Sequence, residues 1–349
     1  MLSEVEDFRA EIEKVDSEIL ELIRKRMEIV KKLARVKASL GLEIRDPARE
    51  RAVLDAWVER ARARGVPEDL ARSVAELLIK YSRLAQRPAY HETRRVAIIG
   101  YGGVARSLGR LMVEAGHVVT ISGRDSDKAE SLARELGCNS AGLRESVEQS
   151  DYVILALSRS AFESGFVDSI LEHVSNAVVM DVLSAKSGVF ERLSRLSLEH
   201  GFSYISTHPL FYPIELPYGE KIVLIPSPSG LNALPEVVAF WESLGLEVVI
   251  ASLDEHEKAM TVMQVIPHLF MLALIETQSR IAEKLEVQSI ERFETRNMRR
   301  LRESLEMVTA NLKTIMEIQK HNPHASLARE EAVKSLIGLI ERIGGETLE

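Results

Sequence analysis

An arginine interrupts the apolar pattern near the start of the chain. From Val5 to Val36, apolar residues recur three or four positions apart, which is the spacing of a helix seam that packs against other helices. Where this pattern calls for another apolar residue, the chain has Arg26. A guanidinium in such a seam is costly unless a negative charge meets it there. The seam therefore faces a partner carboxylate or binds an anion, unless the polar residue only fixes the register of the helices.

A second group of residues has the spacing of a dinucleotide-binding loop. Gly100, Gly102 and Ala105 follow the apolar run 95–99 and precede an amphipathic helical pattern. Gly100 would allow the tight turn, Gly102 and Gly103 would let a pyrophosphate approach the backbone, and Ala105 would allow close packing. Glycine at a strand–helix turn can also be present only because the turn leaves no room for a side chain. The strand, the helix and the next β-rich run together favour a dinucleotide site.

The residues after the second β-rich run bear on the choice of cofactor. An acidic residue at this place binds the ribose 2′-OH of NAD, whereas Ser122 and Arg124 both donate hydrogen bonds and suit the 2′-phosphate of NADP. Asp125 could still bind a ribose. We expect NADP as the cofactor, with NAD as the alternative.

A serine and a histidine follow two later apolar runs, and both should reach the edge where doubly wound sheets bind ligands. Ser184 and His208 beside a nicotinamide would suit alcohol oxidation, because the histidine can accept the hydroxyl proton while the hydride leaves the same carbon. His268 follows Pro267 in an apolar helix, where a histidine is more often a core residue than a ligand. No cluster has the spacing of metal ligands, so we expect no metal.

Three segments would position these residues. Residues 1–90 read as helices, with Gly41 ending the first and Asp46-Pro47 starting the second. Residues 91–252 alternate short apolar strands with helices, which predicts a parallel Rossmann-type sheet whose far edge is a hairpin-like pair, 222–225 and 246–250. Residues 253–349 return to helix. The apolar stretch 259–285 should be buried on most of its circumference, partly against a second subunit.

Composition limits the class of protein. The chain has 349 residues, 46% apolar and 28% charged, which fits several globular domains. Its net charge of −8 argues against nucleic-acid binding, and no uninterrupted apolar run reaches the roughly 18 residues of a membrane span. The N-terminal segment is acidic and helical, unlike a signal peptide. A single cysteine fits a reducing cytoplasm.

The polar residues of the N-terminal segment resemble those of the all-helical, dimeric chorismate mutases. Eight positions match that family's spacing without a gap: Arg9, Arg26, Lys37, Asp46, Arg49, Glu50, Ser82 and Gln86. The resemblance implies rearrangement of chorismate to prephenate, with Asp46, Arg49 and Ser82 as substrate-binding residues. Because no proton moves in that reaction, the enzyme must hold the reactive conformer and stabilise charge on the ether oxygen. Lys37 and Gln86 would donate to that oxygen, and Glu50 would accept from the ring hydroxyl.

Helix geometry adds a condition on Arg9. Arg26 and Lys37 are 11 residues apart, so they share one face and bracket roughly 16 Å, a spacing that suits a ligand with two carboxylates. Arg9 precedes Arg26 by 17 residues, about 25 Å along the axis and rotated by roughly 100°. It cannot reach the ligand of Arg26 from the same helix. If Arg9 acts, it comes from the second subunit of an antiparallel homodimer.

Residues from about 94 onward resemble the prephenate dehydrogenases. The resemblance lies in the glycine loop, Ser184-Ala185-Lys186, His208-Pro209-Leu210-Phe211, a helix with His256, Met260 and His268, and Arg299. It implies oxidation of prephenate to 4-hydroxyphenylpyruvate, with His208 as acceptor for the hydroxyl, Ser184 orienting it, His268 in the pocket and Arg299 on a carboxylate. The family usually has Pro at position 296 and Gly at position 212, so Arg296 and Arg300 remain alternatives to Arg299.

Together the resemblances imply a bifunctional enzyme of tyrosine biosynthesis with a chorismate mutase-like helical domain, a Rossmann NAD(P)-binding domain and a helical dimerisation domain. An arogenate dehydrogenase, or a dehydrogenase of another small acid, is one alternative. The other is a dehydrogenase whose N-terminal helices form a regulatory module without catalysis.

Overall fold

The chain divides into two compact units. The computed structural model describes residues 2–40, 42, 46–86 and 92–344. One unit comprises Met1–Glu92, Pro217–Glu220 and Ala239–Glu247, and the other comprises Thr93–Leu216, Lys221–Val238 and Val248–Glu349. The three-part division at residues 90 and 252 stays a prediction.

The first unit contains three long helices: α1 (Leu2–Ser39), α2 (Pro47–Arg62) and α3 (Glu68–Ala85). Asp46 caps α2 by accepting a hydrogen bond from the backbone of Arg49, and Pro47 occupies the first helical position, as predicted. The predicted end of α1 at Gly41 lies outside the described residues. Helix α3 packs against both other helices.

The seam of α1 is exposed within this chain. Its apolar side chains are between 46 and 65% exposed, and they are Val5, Phe8, Ile12, Val15, Ile19, Leu22, Ile29, Leu33 and Val36. Such a continuous apolar surface is unusual for an isolated soluble chain.

The second unit is built around an eight-stranded sheet in the order β3-β2-β1-β4-β5-β6-β7-β8. The strands are β1 (Arg95–Ile99), β2 (Val118–Ser122), β3 (Asn139–Ser140), β4 (Tyr152–Leu155), β5 (Val178–Asp181), β6 (Ser203–Pro209), β7 (Lys221–Pro226) and β8 (Glu247–Ile250). The first six are parallel, and β1 pairs with β2 and β4. Strands β1, β4 and β5 are almost wholly buried, which is why they read as continuous apolar runs.

Helices join these strands as the alternating pattern predicted. They are α4 (Gly103–Glu114), α5 (Ser126–Leu136), α6 (Leu143–Glu148), α7 (Arg159–Glu163), α8 (Phe166–Leu171), α9 (Val189–His200) and α10 (Leu234–Ser243). A core of apolar side chains from β1, β4 and β5 packs under α8 and α9. The Rossmann-type sheet is therefore confirmed.

The far edge of the sheet differs from the prediction. The reversal of direction comes between β6 and β7, which pair antiparallel with His208 opposite Val223. Strands β7 and β8 are joined through α10 and run in the same direction, because the amides of Glu247 and Ala251 donate to the carbonyls of Glu220 and Leu224. The hairpin-like interpretation of 222–225 and 246–250 was wrong, because the two strands are parallel and are joined by a helix rather than by a tight turn.

The C-terminal part is helical: α11 (Leu253–Met260), α12 (Ile266–Lys284), α13 (Arg296–Ala310), α14 (Leu312–His321) and α15 (Ala325–Gly344). A π-helical turn, Thr261–Val265, joins α11 to α12 without a break. Pro267 has no N–H to give to the preceding turn, so the backbone widens there, and Ile266 donates to Thr261 five residues back.

The stretch Leu253–Lys284 is long and apolar enough to cross a membrane, and 22% of its most apolar window is buried. It was expected to be buried on most of its circumference, and within this chain it is not. Two polar residues of this stretch, Gln264 and His268, line a cavity of the second unit, and His256 is buried.

Candidate functional site

In the first unit, Arg26 is half-buried between α1 and α3. Its guanidinium donates to the Leu78 carbonyl at 3.2 Å and to the Ser82 hydroxyl. Among the described residues no carboxylate pairs with it, and burial lowers the pKa of the guanidinium. Of the possibilities raised by the sequence, a partner carboxylate on the same chain is therefore excluded for the described part. The geometry fits an anionic ligand.

Of the other mutase-like residues, Gln86 adjoins Arg26 through Ser82. Gln86 donates from Nε2 to the Ser82 carbonyl at 3.1 Å, while its Oε1 is buried without a partner among the described residues. Glu50 lies 3.7 Å from Arg83 across the contact between α2 and α3. Lys37 is half-buried on α1. These residues could supply a ligand with charge and hydrogen bonds.

The other predicted residues of this set lie on the surface. Arg9 is exposed and pairs with Glu6 at 2.7 Å on its own helix. Asp46 is engaged as the cap of α2, and Arg49 is exposed. The single chain thus brings Arg26, Ser82 and Gln86 together and leaves Arg9 away from them, as helix geometry required. The roles of all eight residues stay predictions.

In the second unit, the glycine loop has the form of a cradle. Gly100 has a φ of +133°, and a Cβ there would lie 2.1 Å from the Ala156 carbonyl oxygen. A Cβ on Gly102 would meet nothing within 4 Å, so open space lies in front of the N-terminus of α4. Ala105 is fully buried against the sheet. This arrangement fits a pyrophosphate at the helix N-terminus.

Of the residues at and after the end of β2, two make local hydrogen bonds and one is exposed to solvent. Ser122 is buried, and its hydroxyl donates to the Ala141 carbonyl at 2.8 Å, which speaks against its predicted role as a donor to a 2′-phosphate. Arg124 is exposed over the Phe166 ring, 4.9 Å from its centroid. Asp125 caps α5, and hydrogen bonds from Lys128 lower the pKa of its carboxyl group. The carboxylate that could hold a ribose is therefore already engaged.

Two adjoining cavities lie at the carboxyl edge of the sheet. The glycine-loop cavity, of about 280 Å³, extends from Gly102 and Gly103 to Ser184. The histidine cavity, of about 550 Å³, is lined by His208, Tyr212, Gln264 and His268. Ser184 lines both cavities, as does Asn311, which lies between α13 and α14. A ligand in one would therefore contact a ligand in the other.

A buried ion pair fixes the strand ends that carry these residues. Lys186 Nζ lies 2.8 Å from Asp181 Oδ1 and donates to the Thr207 carbonyl at 2.6 Å, which ties the end of β5 to β6. Tyr204 donates to the other Asp181 oxygen at 2.8 Å. Burial lowers the pKa of Lys186, and the Asp181 carboxylate opposes that shift. Removing one member would leave a buried charge unpaired.

His208 is held by a second histidine that sequence reasoning did not assign to the site. His208 Nδ1 lies 2.9 Å from His256 Nε2, and its Nε2 lies 3.5 Å from Gln264 Nε2. Burial, then His256 and the Lys186 ammonium, lower the pKa of His208 well below 6.5. Burial and Lys186 lower the pKa of His256 to about 3. Both rings are neutral at physiological pH.

His268 is buried and contacts the hydroxyl of Tyr212, with Nε2 at 3.3 Å from the phenol oxygen. Sequence reasoning noted Tyr212 only as a departure from a family pattern and missed Gln264. The π turn that turns Gln264 toward His208 has no signal in the sequence apart from Pro267.

Arg299 does not line either cavity. Its side chain is 74% exposed and pairs with Glu294 at 3.2 Å, and Glu294 also binds Arg302. Arg296 and Arg300 are exposed as well. Among the described residues that line the histidine cavity there is no lysine or arginine. Within one chain Arg299 does not line the histidine cavity, and its predicted contact with a substrate carboxylate stays a prediction.

Two different family models match the N-terminal helical segment and the Rossmann-type segment of the chain. The family model of chorismate mutase type II matches residues 8–87. The model described as NADP oxidoreductase coenzyme F420-dependent matches residues 95–184. The chain therefore contains a segment similar to the type II chorismate mutases, followed by a segment similar to an oxidoreductase family. The sequence-based identification of these two parts is confirmed.

Individual relatives support the same pairing in a single chain. A T-protein of Enterobacter agglomerans is 26% identical over 278 residues, which cover 77% of this chain and 69% of the relative. Among solved structures, Synechocystis arogenate dehydrogenase is 19% identical with a TM-score of 0.57, covering 71% of this chain and 91% of that one. Prephenate dehydrogenase of Aquifex aeolicus, in complex with hydroxyphenyl propionate and NAD+, is 20% identical with a TM-score of 0.52, covering 74% and 94%. The likeness to these structures establishes the dehydrogenase fold.

Proposed function

We propose that this chain rearranges chorismate to prephenate and then oxidises prephenate to 4-hydroxyphenylpyruvate, two consecutive steps of tyrosine biosynthesis. The observation that carries the first step is the half-buried Arg26, whose charge no carboxylate of the described chain neutralises. The second step is supported by His208, neutral and facing a cavity that adjoins the glycine loop.

In the mutase domain the residues bind and orient. Arg26 and Lys37 hold the two carboxylates of the substrate and so favour its reactive conformer. Lys37 and Gln86 donate to the ether oxygen as its bond breaks, where preorganised donors lower the barrier most. One N–H of the Gln86 amide donates to the Ser82 carbonyl, and the second N–H of the same nitrogen can donate to the ether oxygen.

In the dehydrogenase, His208 takes the proton of the ring hydroxyl. Its Nε2 must then be free of hydrogen, so its Nδ1 carries the proton and donates to His256 Nε2, which lies at 2.9 Å. Ser184 orients the hydroxyl from the wall that both cavities share. A bound nicotinamide would supply the hydride acceptor. Loss of the hydride lets CO₂ leave the opposite ring carbon and the ring become aromatic.

For the cofactor we propose NADP rather than NAD. Arg124 is exposed at the end of β2, where a guanidinium can grip a 2′-phosphate, whereas Asp125 is engaged by Lys128. Replacing Arg124 by Ala should weaken NADP binding about tenfold or more and leave NAD binding nearly unchanged, since a charge-assisted contact to phosphate is lost only for NADP. Titration of each cofactor into both proteins tests this. A wild-type preference for NAD would contradict it.

The second candidate substrate of the dehydrogenase is arogenate, and one observation favours it. Glu303 contributes a carboxylate to the lining of the histidine cavity, which has no lysine or arginine among its described residues. Arogenate carries an ammonium group where prephenate carries a keto oxygen, and a carboxylate would bind that ammonium. Comparison of kcat/KM for the two substrates in the wild type and in Glu303→Gln separates the candidates, because only arogenate turnover should need the charge.

We further propose that the protein is a cytoplasmic homodimer. The exposed seam of α1 and an apolar face on α15, including Leu336, Ile337 and Ile340, would be covered by the second subunit. The same pairing would bring Arg9 of one chain to Arg26 of the other. A second subunit, rather than a membrane, would also cover the exposed apolar surface of Leu253–Lys284. Residues of this stretch line the histidine cavity.

Two separate assays test the proposed function. The purified protein should consume chorismate without any cofactor, and it should reduce NADP when given prephenate. Activity in the second assay alone would mean that the N-terminal helices are a regulatory module.

A further inference from the structure

The segment after β6 is anchored at both ends between the glycine loop and the histidine cavity. The Leu210 amide donates to the Lys221 carbonyl at 2.9 Å. At the other end, the Ile214 amide donates to the Ser107 hydroxyl on α4 at 3.1 Å, and that hydroxyl donates back to the Ile214 carbonyl. Pro213 lies so close to Gly103 that a Cβ there would be 2.6 Å from its ring. Tyr212 therefore has a fixed backbone.

Tyr212 places a hydroxyl group in the histidine cavity. Its side chain is half-buried, lines the cavity, and has its oxygen 3.3 Å from Nε2 of the buried His268. Burial raises the pKa of Tyr212 and lowers the pKa of His268, so both groups are neutral. When His268 Nε2 carries its proton, it donates to the phenol oxygen, and the phenol hydrogen is left to donate into the cavity.

Two polar pairs line the histidine cavity, and one member of each pair comes from the same helical stretch. Gln264 adjoins His208, and His268, four residues further on, adjoins Tyr212. Four residues correspond to about 6 Å along a helix, so the two pairs are separated along the cavity. A ring whose hydroxyl meets His208 can therefore present its opposite carbon toward Tyr212.

We propose that Tyr212 is a substrate-binding residue whose hydroxyl donates to the carboxylate on the ring carbon opposite the reacting alcohol, with His268 supporting the phenol. This inference rests on the proposed dehydrogenase function. Position 212 is usually glycine in the resembling family, so the contact is a feature of this chain. The donor is neutral, and the described lining offers no lysine or arginine. Departure of that carboxylate as CO₂ therefore leaves no unpaired cation in the cavity.

Comparison of substrate with product tests the contact, because 4-hydroxyphenylpyruvate lacks the ring carboxylate. In Tyr212→Phe, kcat/KM for prephenate, and for arogenate if it is a substrate, should fall about 10- to 100-fold, the effect of losing a hydrogen bond to a charged group. Inhibition by 4-hydroxyphenylpyruvate should be unchanged. Unchanged kcat/KM, or an equal weakening of substrate and product, would overturn the proposal.

Controls separate this outcome from misfolding and from failure of the proposed function. Tyr81→Phe makes the same chemical change on the exposed surface of α3 and should leave dehydrogenase kinetics as in the wild type. The mutase rate and NADP affinity of Tyr212→Phe report whether it folds. If Tyr212→Phe does not fold, Tyr212→Gly, which has the usual family residue, is tested instead. A wild-type kcat/KM in Tyr212→Gly overturns the proposal, and a loss of about tenfold or more supports it. A wild type that oxidises neither substrate refutes the proposed function instead.

Discussion

At the scale of single residues, the reactive groups Arg26 and His208 are shielded from solvent and are not paired with carboxylates among the described residues. Among the described residues, the partners of the half-buried Arg26 are a carbonyl and a hydroxyl, and His208 is buried beside another neutral imidazole. Burying such a group without an opposite charge reduces the stability of the fold, and residues of this kind are therefore candidates for binding or catalysis.

Replacing Arg26 by Ala should reduce the mutase rate by about 10²-fold or more, because a preorganised cation no longer meets the substrate. Dehydrogenase activity on supplied prephenate should survive. Arg24→Ala is the matched control, since Arg24 is an exposed arginine of the same helix that pairs with Glu21 and Glu28. Equal loss of both activities in Arg26→Ala would mean that the residue is structural.

The dehydrogenase should tolerate acid better than an ordinary histidine-dependent enzyme. Turnover needs neutral His208 and is lost as the pH falls through its pKa, which burial, His256 and Lys186 place well below 6.5. The pH profile of kcat/KM should therefore stay level at pH 6.5 and decline only at a clearly lower pH. His208→Asn should lose about 10²- to 10⁴-fold in turnover, while the exposed His200→Asn should not. An acid limb centred at or above pH 6.5 would argue against His208.

A site residue could be predicted from the sequence where its chemical type is unusual for its position in a helix or after a strand. Arg26 stands out because it breaks an apolar seam, and His208 because it follows a buried strand. His256 and Gln264 depend on a tertiary contact and on a π turn, which periodicity does not encode. Ser122 has a polar side chain at the expected place, but a local hydrogen bond to Ala141 takes its hydroxyl inward.

At the scale of elements, strand–loop–helix junctions determine where ligands can approach. The sequence predicted the buried strands because they are apolar throughout. It gave no signal for β3, whose two residues, Asn139 and Ser140, are polar and exposed. The direction of β8 was also missed, because an apolar run reads the same in either direction and the hydrogen bonds of β8 to β7 depend on the tertiary fold.

The loop before α4 offers a test of the cofactor cradle. In Gly102→Ala the new Cβ would meet no protein atom within 4 Å, so the thermal unfolding midpoint should change little. The same Cβ would occupy the space of an approaching pyrophosphate, so NADP affinity should fall about tenfold or more. Gly142→Ala, at the start of α6 with equally open surroundings, should preserve affinity. Unchanged NADP binding in Gly102→Ala would exclude this loop as the cradle.

At the scale of the whole molecule, the proposed sites need a second copy of the chain. The seam of α1 is exposed, Arg9 lies away from Arg26, and the described lining of the histidine cavity lacks a cation. Sequence periodicity predicted the seam, but a single sequence does not specify which surface covers it.

Mixing two inactive chains should restore mutase activity if the sites are shared. Arg9→Ala and Lys37→Ala each disable both sites of their own homodimer, whereas a hybrid of the two contains one intact site. Rates should rise when the variants are mixed under conditions that allow subunit exchange. No recovery, in a mixture where exchange is demonstrated by mass, would contradict the shared site.

If one chain performs both steps, the wild-type protein supplied with chorismate and NADP alone should reduce the nicotinamide, which its absorbance records. We expect reduction of one cofactor for each chorismate consumed and accumulation of 4-hydroxyphenylpyruvate. Consumption of chorismate without cofactor reduction, in an enzyme that also leaves added prephenate and NAD unchanged, would contradict this expectation.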